Sequence, residues 1–214
     1  MKIVVLDYGI GNVKSILNSF VNQGVNPILS RDKDVILDAD GLILPGVGAF
    51  SHGMKNLRKY DLINVIKQYV QTDKPLLAIC LGMQMLLEES EEFGINKGIG
   101  LIKGKVIKLP VEKSFKVKLP HISWNTIEPK SIHWSNTILN NVEIGSDMYF
   151  VHRFVAKPDN KNEVLSTTKY SNVEFCSSLK KENIYGCQFH PEKSGKAGLL
   201  IIHNFIKICN LKKC

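Results

Sequence analysis

Three short apolar segments alternate with amphipathic helical patterns in the first half of the chain, and this alternation strongly restricts the possible folds. The apolar segments are KIVVLD (2–7), GLILP (41–45) and LLAIC (76–80). Apolar residues at helical spacing predict helices over residues 13–21 and 62–70 between them. Short strands separated by helices are typical of βαβ units, whose strands form a parallel sheet. We therefore predict an α/β fold with a central, mostly parallel sheet flanked by helices.

After about residue 100 the pattern changes to short segments in which apolar and polar residues alternate, as in antiparallel strands. We expect these segments to extend the same sheet: KVIKL, MYFVHRF, EVLSTTKY, VEFCSSL and IYGCQF. Residues 155–163, rich in Asn, Asp and Pro, predict a loop. An amphipathic helix is predicted over 195–210. Because 44% hydrophobic content suits one sizeable core and no linker stands out, we expect residues 1–214 to form a single domain.

Cysteine and histidine usage argues against a disulfide framework or a metal site. The chain has an odd number of cysteines without a CxxC pair, and six histidines without HxH or HExxH spacing. The cysteines, which we expect to be reduced, are Cys80, Cys176, Cys187, Cys209 and Cys214. Neither DYGIGNVK nor GIGLIKGKV completes a nucleotide-binding loop. No apolar run is long enough to span a bilayer and Asp7 interrupts the first one, so we expect a cytoplasmic protein without metal or cofactor.

The net charge of +8 is concentrated in one stretch, residues 97–118. Its lysines are Lys97, Lys103, Lys105, Lys108, Lys113, Lys116 and Lys118, and Glu112 is its one acidic residue. Because the stretch has no arginine, we interpret it as a solvated surface rather than a nucleic-acid site. An acidic partner surface or a phosphorylated substrate nearby is the alternative.

The segment AICLGMQ (78–84) has the layout of a nucleophile elbow. In such an elbow a nucleophile follows a buried strand on a tight turn into a helix, and small residues two positions to either side let other backbone come close. Here the nucleophile is Cys80, between Ala78 and Gly82, and the start of the next helix favours its thiolate form. A buried structural cysteine is the alternative reading of Cys80 alone.

A histidine and an acid follow a predicted strand in QFHPEKS (188–194). His190 can take the thiol proton and return a proton to a leaving group, while Glu192 accepts a hydrogen bond from the other imidazole nitrogen. Pro191 restricts the backbone between them. A histidine at a strand end is more often structural, but its combination with Glu192 and an elbow elsewhere favours catalysis.

The glycine-containing turn LPGVGAF (44–50) is a candidate oxyanion hole. Gly46 and Gly48 allow the N–H groups of the turn, including that of Val47, to point into a cavity together with the N–H of Leu81. An ordinary tight turn after a strand is the alternative. The carboxyl edge of a parallel sheet, where this turn is expected, is the usual place for α/β sites.

With these three motifs in this order, the chain resembles the class I glutamine amidotransferases. More narrowly, it is similar along essentially its whole length to the glutaminase subunits of imidazole glycerol phosphate synthase. The segments that carry the similarity are DYGIGN, LPGVGAF, ICLGMQMLLEESEE, GIGLIKGKV, PHISWN, YFVHRF and YGCQFHPEKSG. The resemblance implies hydrolysis of L-glutamine through a thioester on Cys80. It also implies a heterodimer with a (β/α)8-barrel cyclase that uses the ammonia to make imidazole glycerol phosphate and AICAR in histidine biosynthesis.

The resemblance also implies roles for residues outside the triad. Glutamine would contact Gln84, the Gly46–Gly48 turn and the backbone around His152 and Arg153. The residues implied at the subunit interface are Asn12, Trp124, Asn125, Tyr149 and Lys193.

Three positions depart from the pattern of the resembling family. Ala78 and Ser123 stand where glycine is usual, and Arg153 stands where serine is usual. Since the last two are expected near the substrate or interface, a paralogue that supplies ammonia to a sugar amidotransferase in surface-polysaccharide biosynthesis is the alternative function. A cysteine peptidase or a DJ-1-like stress protein fits less well, because those proteins lack the HPE segment and the GMQ that follows the cysteine here. A binding protein without catalysis fits less well because all three triad residues are present.

Overall fold

The computed structural model describes residues 1–111 and 118–211. Residues 112–117 of the basic stretch, which include the charged residues Glu112, Lys113 and Lys116, lie outside the described residues, as does Cys214. The four cysteines within them are free and buried.

In the described residues, strands and helices alternate in the first part of the chain, and strands predominate after that. The strands are β1 (Ile3–Leu6), β2 (Ile28–Ser30), β3 (Gly41–Leu44), β4 (Leu76–Ile79), β5 (Leu87–Ser90), β6 (Asn96–Lys97), β7 (Ile102–Lys108), β8 (His121–Thr126), β9 (Glu128–Pro129), β10 (Asp147–His152), β11 (Phe154–Pro158), β12 (Val164–Tyr170), β13 (Val173–Lys181) and β14 (Ile184–Cys187). The α-helices are α1 (Val13–Val21), α2 (Lys33–Leu37), α3 (Phe50–Lys59), α4 (Leu62–Val70), α5 (Leu81–Met85) and α6 (Gly195–Leu211). Short 3₁₀ helices cover Lys161–Glu163 and Pro191–Lys193.

The central sheet has eight of the described strands in the order β2-β1-β3-β4-β14-β13-β12-β9. The first five run parallel, and β13, β12 and β9 continue the sheet in antiparallel pairs. The predicted α/β class with a mostly parallel sheet and an antiparallel extension is therefore confirmed. IYGCQF was expected among the antiparallel strands, but β14 pairs in parallel with β4, with Tyr185 opposite Leu77.

Two of the strands that we expected in the central sheet lie in smaller sheets instead. KVIKL lies in β7, part of a four-stranded sheet in the order β11-β7-β5-β6, and MYFVHRF provides β10, which pairs only with β8 in the second small sheet. Alternation identifies a strand but carries no information about its partner, which explains the error. The loop expected over 155–163 is also partly wrong. β11 extends to Pro158, at the end of the strand where a missing N–H is tolerated.

The core lies on both faces of the central sheet, which is why its first strands are apolar throughout. Val4, Leu42 and Leu76 pack on one face with the apolar sides of α3 and α4. Alternate residues of the same strands, such as Val5 and Leu77, pack on the other face with α1 and α6. No helix of the described chain is long and apolar enough to cross a membrane.

The carboxyl ends of β1, β3, β4 and β14 meet at one edge of the sheet. Tyr8, just past β1, is fully buried and donates its hydroxyl hydrogen to the Pro45 carbonyl at 2.5 Å. The backbone N–H of Cys80 donates to the Cys187 carbonyl at 2.7 Å. The sheet thus brings the three sequence motifs to the same edge.

Candidate active site

Cys80 occupies a strained turn between β4 and α5. Its backbone has φ 55° and ψ −110°, in a region that non-glycine residues rarely adopt. A Cβ on Gly82 would lie 2.1 Å from the Leu44 carbonyl oxygen, so only glycine lets α5 approach β3 this closely. The side chain of Cys80 is 6% exposed, and its sulfur lies 3.9 Å from the Val151 carbonyl oxygen. This is the local geometry that the small residues in AICLGMQ predict.

His190 and Glu192 form a buried pair at the end of β14. The His190 Nδ1 and Glu192 Oε1 atoms are 2.8 Å apart, and the two side chains are 2% and 1% exposed. The backbone N–H of His190 donates to the Tyr149 carbonyl, and Ser194 donates its hydroxyl hydrogen to the His190 carbonyl. The 3₁₀ turn that begins at Pro191 carries Glu192 back towards the imidazole.

The protonation of His190 is controlled by its two neighbours. Burial alone lowers the pKa of His190, but Cys80 and the Glu192 carboxylate outweigh burial and raise that pKa to about 10. No described residue makes a hydrogen bond with Nε2 of His190. The nitrogen that does not face Glu192 is therefore available to a substrate, in the cavity that it shares with the Cys80 sulfur.

A cavity of about 340 Å³ unites these groups with most of the predicted substrate-binding residues. It is lined by Cys80 and His190 together with Val47, Gly48, Leu81, Gln84, Glu92, Val151, His152, Arg153 and Phe154. Gly46 lies outside this lining and packs against α5, where a Cβ would come within 2.7 Å of the Gly82 nitrogen. Gly46 thus acts on the cavity by allowing the turn to approach the elbow.

The two predicted oxyanion-hole residues both line the cavity, and they belong to different elements of the fold. Val47 lies in the turn after β3 and is 38% exposed, and Leu81 is the first residue of α5. N–H groups in the first turn of a helix have no partner within that helix and are free to donate to a ligand. The arrangement can stabilise a negative oxygen that develops beside Cys80.

Glu92 is a cavity residue that the sequence analysis did not single out. Its Oε2 accepts a hydrogen bond of 2.6 Å from the Phe50 N–H, which holds the carboxylate at the start of α3. It lies in the acidic run EESEE, and nothing in that run distinguishes one carboxylate from the next. A carboxylate in this place can bind an ammonium group.

The cavity wall opposite α5 is formed by the turn between β10 and β11. His152 is buried, and its pKa is lowered to about 3, by burial first and by the nearby His121 second, so its imidazole is neutral. Gln84 donates from Nε2 to the Phe154 carbonyl at 2.9 Å and to Oε1 of Gln188 at 2.9 Å. Arg153 is exposed at the rim of the cavity.

Three of the five predicted interface residues lie together on the surface. The Tyr149 and Trp124 rings are 5.7 Å apart, and Nζ of Lys193 lies 5.8 Å from the Tyr149 ring centroid. Trp124 is 52% exposed. Asn12 is exposed at the cap of α1, whereas Asn125 makes hydrogen bonds within the protein, to Ser123 and to His121. We call Trp124, Tyr149 and Lys193 the aromatic patch.

Within residues 1–111 and 118–211, no group of three or more His, Cys, Asp or Glu side chains is arranged to hold a metal ion. The groups available for chemistry are therefore a cysteine nucleophile, a buried histidine–carboxylate pair and free backbone N–H groups.

An elbow cysteine, a histidine–glutamate pair and an oxyanion turn on a parallel sheet define a thiol-dependent acyl-transfer enzyme. Residues 4–209 match the family model for class I glutamine amidotransferases. The chain belongs to that family.

Curated relatives agree with this membership, and a solved structure shares the fold. The chain is 46% identical over 209 residues to imidazole glycerol phosphate synthase subunit HisH 1 of Legionella pneumophila (strain Lens), an alignment that covers 95% of this chain and 98% of the relative. It is 42% identical over 206 residues to subunit HisH of Aquifex aeolicus (strain VF5), with 96% of each chain covered. A crystal structure of a glutamine amidotransferase shares the fold with a TM-score of 0.73, at 16% identity over 97% of this chain and 98% of that chain.

Proposed function

We propose that this protein is the glutaminase subunit of an imidazole glycerol phosphate synthase. It hydrolyses L-glutamine to glutamate and ammonia, and a cyclase subunit consumes the ammonia. The observation that carries the chemistry is the cavity in which Cys80 meets the buried pair of His190 and Glu192. The pathway is supported by the names of the two relatives and by the near-complete coverage of both chains in each alignment.

The reaction begins with attack of the Cys80 thiolate on the carbonyl carbon of the glutamine side-chain amide. The negative oxygen of the tetrahedral intermediate accepts hydrogen bonds from the N–H groups of Val47 and Leu81. His190 then donates the proton on Nε2 to the amide nitrogen, the C–N bond breaks, and ammonia leaves a thioester on the sulfur. His190, now neutral, removes a proton from water as the water attacks the thioester. Glutamate departs and the thiolate returns.

The remaining cavity residues select free glutamine. The Glu92 carboxylate binds the α-ammonium group, because no other acidic side chain lines the described cavity. Gln84 and the turn at Gly48 position the reacting amide. The backbone around His152 and Arg153 binds the α-carboxylate. A side chain within a peptide lacks both α-charges and is therefore a poor substrate.

The aromatic patch contacts the partner, a (β/α)8-barrel cyclase, in a cytoplasmic heterodimer. Trp124 and Lys193 of the patch are exposed and Tyr149 is half-buried, and the Tyr149 ring lies 6.4 Å from the His190 ring. Aromatic side chains of this kind dominate the binding energy of protein interfaces. The cyclase converts the ammonia into imidazole glycerol phosphate and AICAR. Residues 1–214 act as one amidotransferase domain, in keeping with the match over 4–209.

The test is glutamine hydrolysis by the purified chain, alone and with its cognate cyclase subunit. Hydrolysis is expected to be faster with the cyclase, and Cys80→Ala is expected to abolish it. Cys176→Ala, which removes a buried thiol outside the cavity, serves as the control and should retain activity. Full activity of Cys80→Ala would refute the assignment of the nucleophile.

The same assay separates the two possible destinations of the ammonia. The unusual residues Ser123 and Arg153 lie in the small sheet and at the cavity rim, where a change of partner would act. Stimulation by a sugar-modifying synthase, with none by the cyclase, would replace the histidine pathway with surface-polysaccharide biosynthesis.

A further inference from the structure

The buried hydroxyl of Tyr8 lies at the edge of the sheet where the active site forms. Tyr8 follows β1 closely, and its side chain is fully buried. Its hydroxyl donates to the Pro45 carbonyl at 2.5 Å. Its own backbone carbonyl accepts a hydrogen bond of 2.9 Å from Nδ2 of Asn56 in α3. Tyr8 is therefore held at its backbone and at the end of its side chain.

The Tyr8 hydroxyl keeps its hydrogen and donates it in one direction. Burial raises the pKa of Tyr8, and the nearby Cys80 raises that pKa further. A carbonyl oxygen only accepts, so the hydrogen lies between the Tyr8 oxygen and Pro45. A buried hydroxyl without a partner is costly, and this cost opposes any movement of the Pro45 carbonyl away from Tyr8.

Gly46, the next residue, packs against both the Tyr8 hydroxyl and the nucleophile elbow. A Cβ at this position would lie 2.8 Å from the Leu81 Cβ and 3.0 Å from the Tyr8 oxygen. Contacts this short exclude a side chain, so glycine lets the backbone of the turn lie directly against these groups. The start of the turn is thus confined by Tyr8 and by α5.

The N–H of Val47 depends on this confined part of the turn. It belongs to the peptide group that joins Gly46 to Val47, and the preceding peptide group contains the carbonyl held by Tyr8. The other side of the turn is open, because a Cβ on Gly48 would have no atom within 4 Å. The restraint on the Val47 N–H therefore comes from the side of Pro45 and Gly46.

We propose that Tyr8 is a positioning residue for the oxyanion hole, whose hydroxyl holds the Pro45 carbonyl and thereby places the Val47 N–H beside the elbow. The proposal rests on the glutaminase function proposed above, in which that N–H stabilises the tetrahedral intermediate. Tyr8 does not line the described cavity, so it acts through the turn and takes no part in the chemical steps.

The test is Tyr8→Phe, which removes the hydroxyl and keeps the ring. The kcat for glutamine hydrolysis with the cyclase present should fall about five- to tenfold, the effect of weakening one oxyanion hydrogen bond. The KM should change less than about twofold, because the oxyanion exists only after the sulfur has attacked. Initial rates over a wide range of glutamine concentrations separate the two constants.

Tyr69→Phe is the matched control. Tyr69 is also fully buried, and its hydroxyl also donates to a proline carbonyl, that of Pro75, at 3.1 Å. Pro75 precedes β4, so this bond lies at the opposite end of the strand from Cys80. Both variants should show small, similar losses in melting temperature, but Tyr69→Phe should keep the kcat of the wild type. Melting temperatures also show that both variants are folded at the assay temperature.

Alkylation of Cys80 by iodoacetamide separates the oxyanion hole from the nucleophile. The reagent reacts at a saturated carbon and forms no oxyanion, so Tyr8→Phe should be alkylated at the rate of the wild type, as measured by mass spectrometry of the Cys80 peptide. An unchanged kcat in Tyr8→Phe, an equal fall in Tyr69→Phe, or slower alkylation overturns the positioning role alone. If the wild type with cyclase fails to hydrolyse glutamine, the proposed function is refuted, and the positioning role with it.

Discussion

His190 and Glu192 face each other at 2.8 Å with both side chains almost completely buried. A carboxylate held in this way orients the imidazole and stabilises its positive charge during the reaction. Glu192→Gln keeps an oxygen that can accept the hydrogen bond but removes the charge. We expect kcat for glutamine hydrolysis to fall by about a hundredfold or more. Steady-state kinetics with the cyclase present measure this. Glu143→Gln, an exposed substitution, should leave kcat unchanged.

The raised pKa of His190 predicts how stability depends on pH. Its folded pKa of about 10 lies above the ordinary value of 6.5, so the folded protein holds this proton more tightly than the unfolded chain does. The resulting stabilisation is complete below about pH 6.5 and is lost as pH rises to about 10. The difference in free energy of unfolding between the wild type and His190→Asn should shrink over this range. Urea titrations at several pH values test this, and a difference that grows with pH would contradict it.

Gly82→Ala should damage both stability and catalysis. The added methyl group would lie 2.1 Å from the Leu44 carbonyl oxygen, so α5 must move away from β3 and take the elbow with it. We expect a loss of about 1–3 kcal/mol in the free energy of unfolding, together with a large fall in kcat. Gly24→Ala is the control, since no atom lies within 4 Å of the added group, although the positive φ of Gly24 (77°) strains any side chain there. It should lose some stability and keep its kcat.

Glu92→Gln should raise the KM for glutamine by about tenfold and change kcat much less. The substitution keeps an oxygen for the Phe50 N–H but removes the charge that pairs with the α-ammonium group. Initial rates over a wide range of glutamine concentrations separate the two constants. Glu91→Gln is the matched control, because Glu91 pairs with Lys105 outside the cavity. Equal effects of the two substitutions would exclude the proposed role.

Trp124→Ala should weaken binding of the cyclase by about tenfold or more, since a large exposed aromatic residue is a common centre of interface energy. Titration of the cyclase while hydrolysis is monitored yields the apparent Kd. Ile28→Ala removes an exposed apolar side chain from the edge strand β2 and should have no effect. A normal Kd in Trp124→Ala would place the interface on another surface.

Local patterns were sufficient for the elements that depend on local chemistry. The helix predicted over 62–70 is present as Leu62–Val70, and the buried strand before Cys80 lies where its apolar run indicates. Both follow from periodicity and composition. The catalytic candidates were found because a cysteine between small residues and a histidine close to an acid are recognisable within a few residues.

Features that depend on long-range pairing were not found. Glu92 enters the cavity through its bond with Phe50, 42 residues away, and His121 meets His152 across the pairing of β8 with β10. The same limit explains why MYFVHRF was assigned to the wrong sheet. Tertiary packing determines which strands pair and which residues form the cavity walls. The alternation of apolar and polar residues in a strand gives no information about that packing.

The 2.7 Å bond between the Cys80 N–H and the Cys187 carbonyl joins the ends of two neighbouring strands, one leading to Cys80 and the other towards His190. Cys80 and His190 are therefore held in a fixed relation by two adjacent, hydrogen-bonded strands of the central sheet. The chain between them also supplies cavity residues such as Gln84, Glu92 and His152, so only the surface outside the cavity can change to suit another synthase while the release of ammonia stays the same. Members of one family can therefore share their chemistry and differ in the synthase that they supply. In this protein the choice of synthase depends on the surface around the two paired strands.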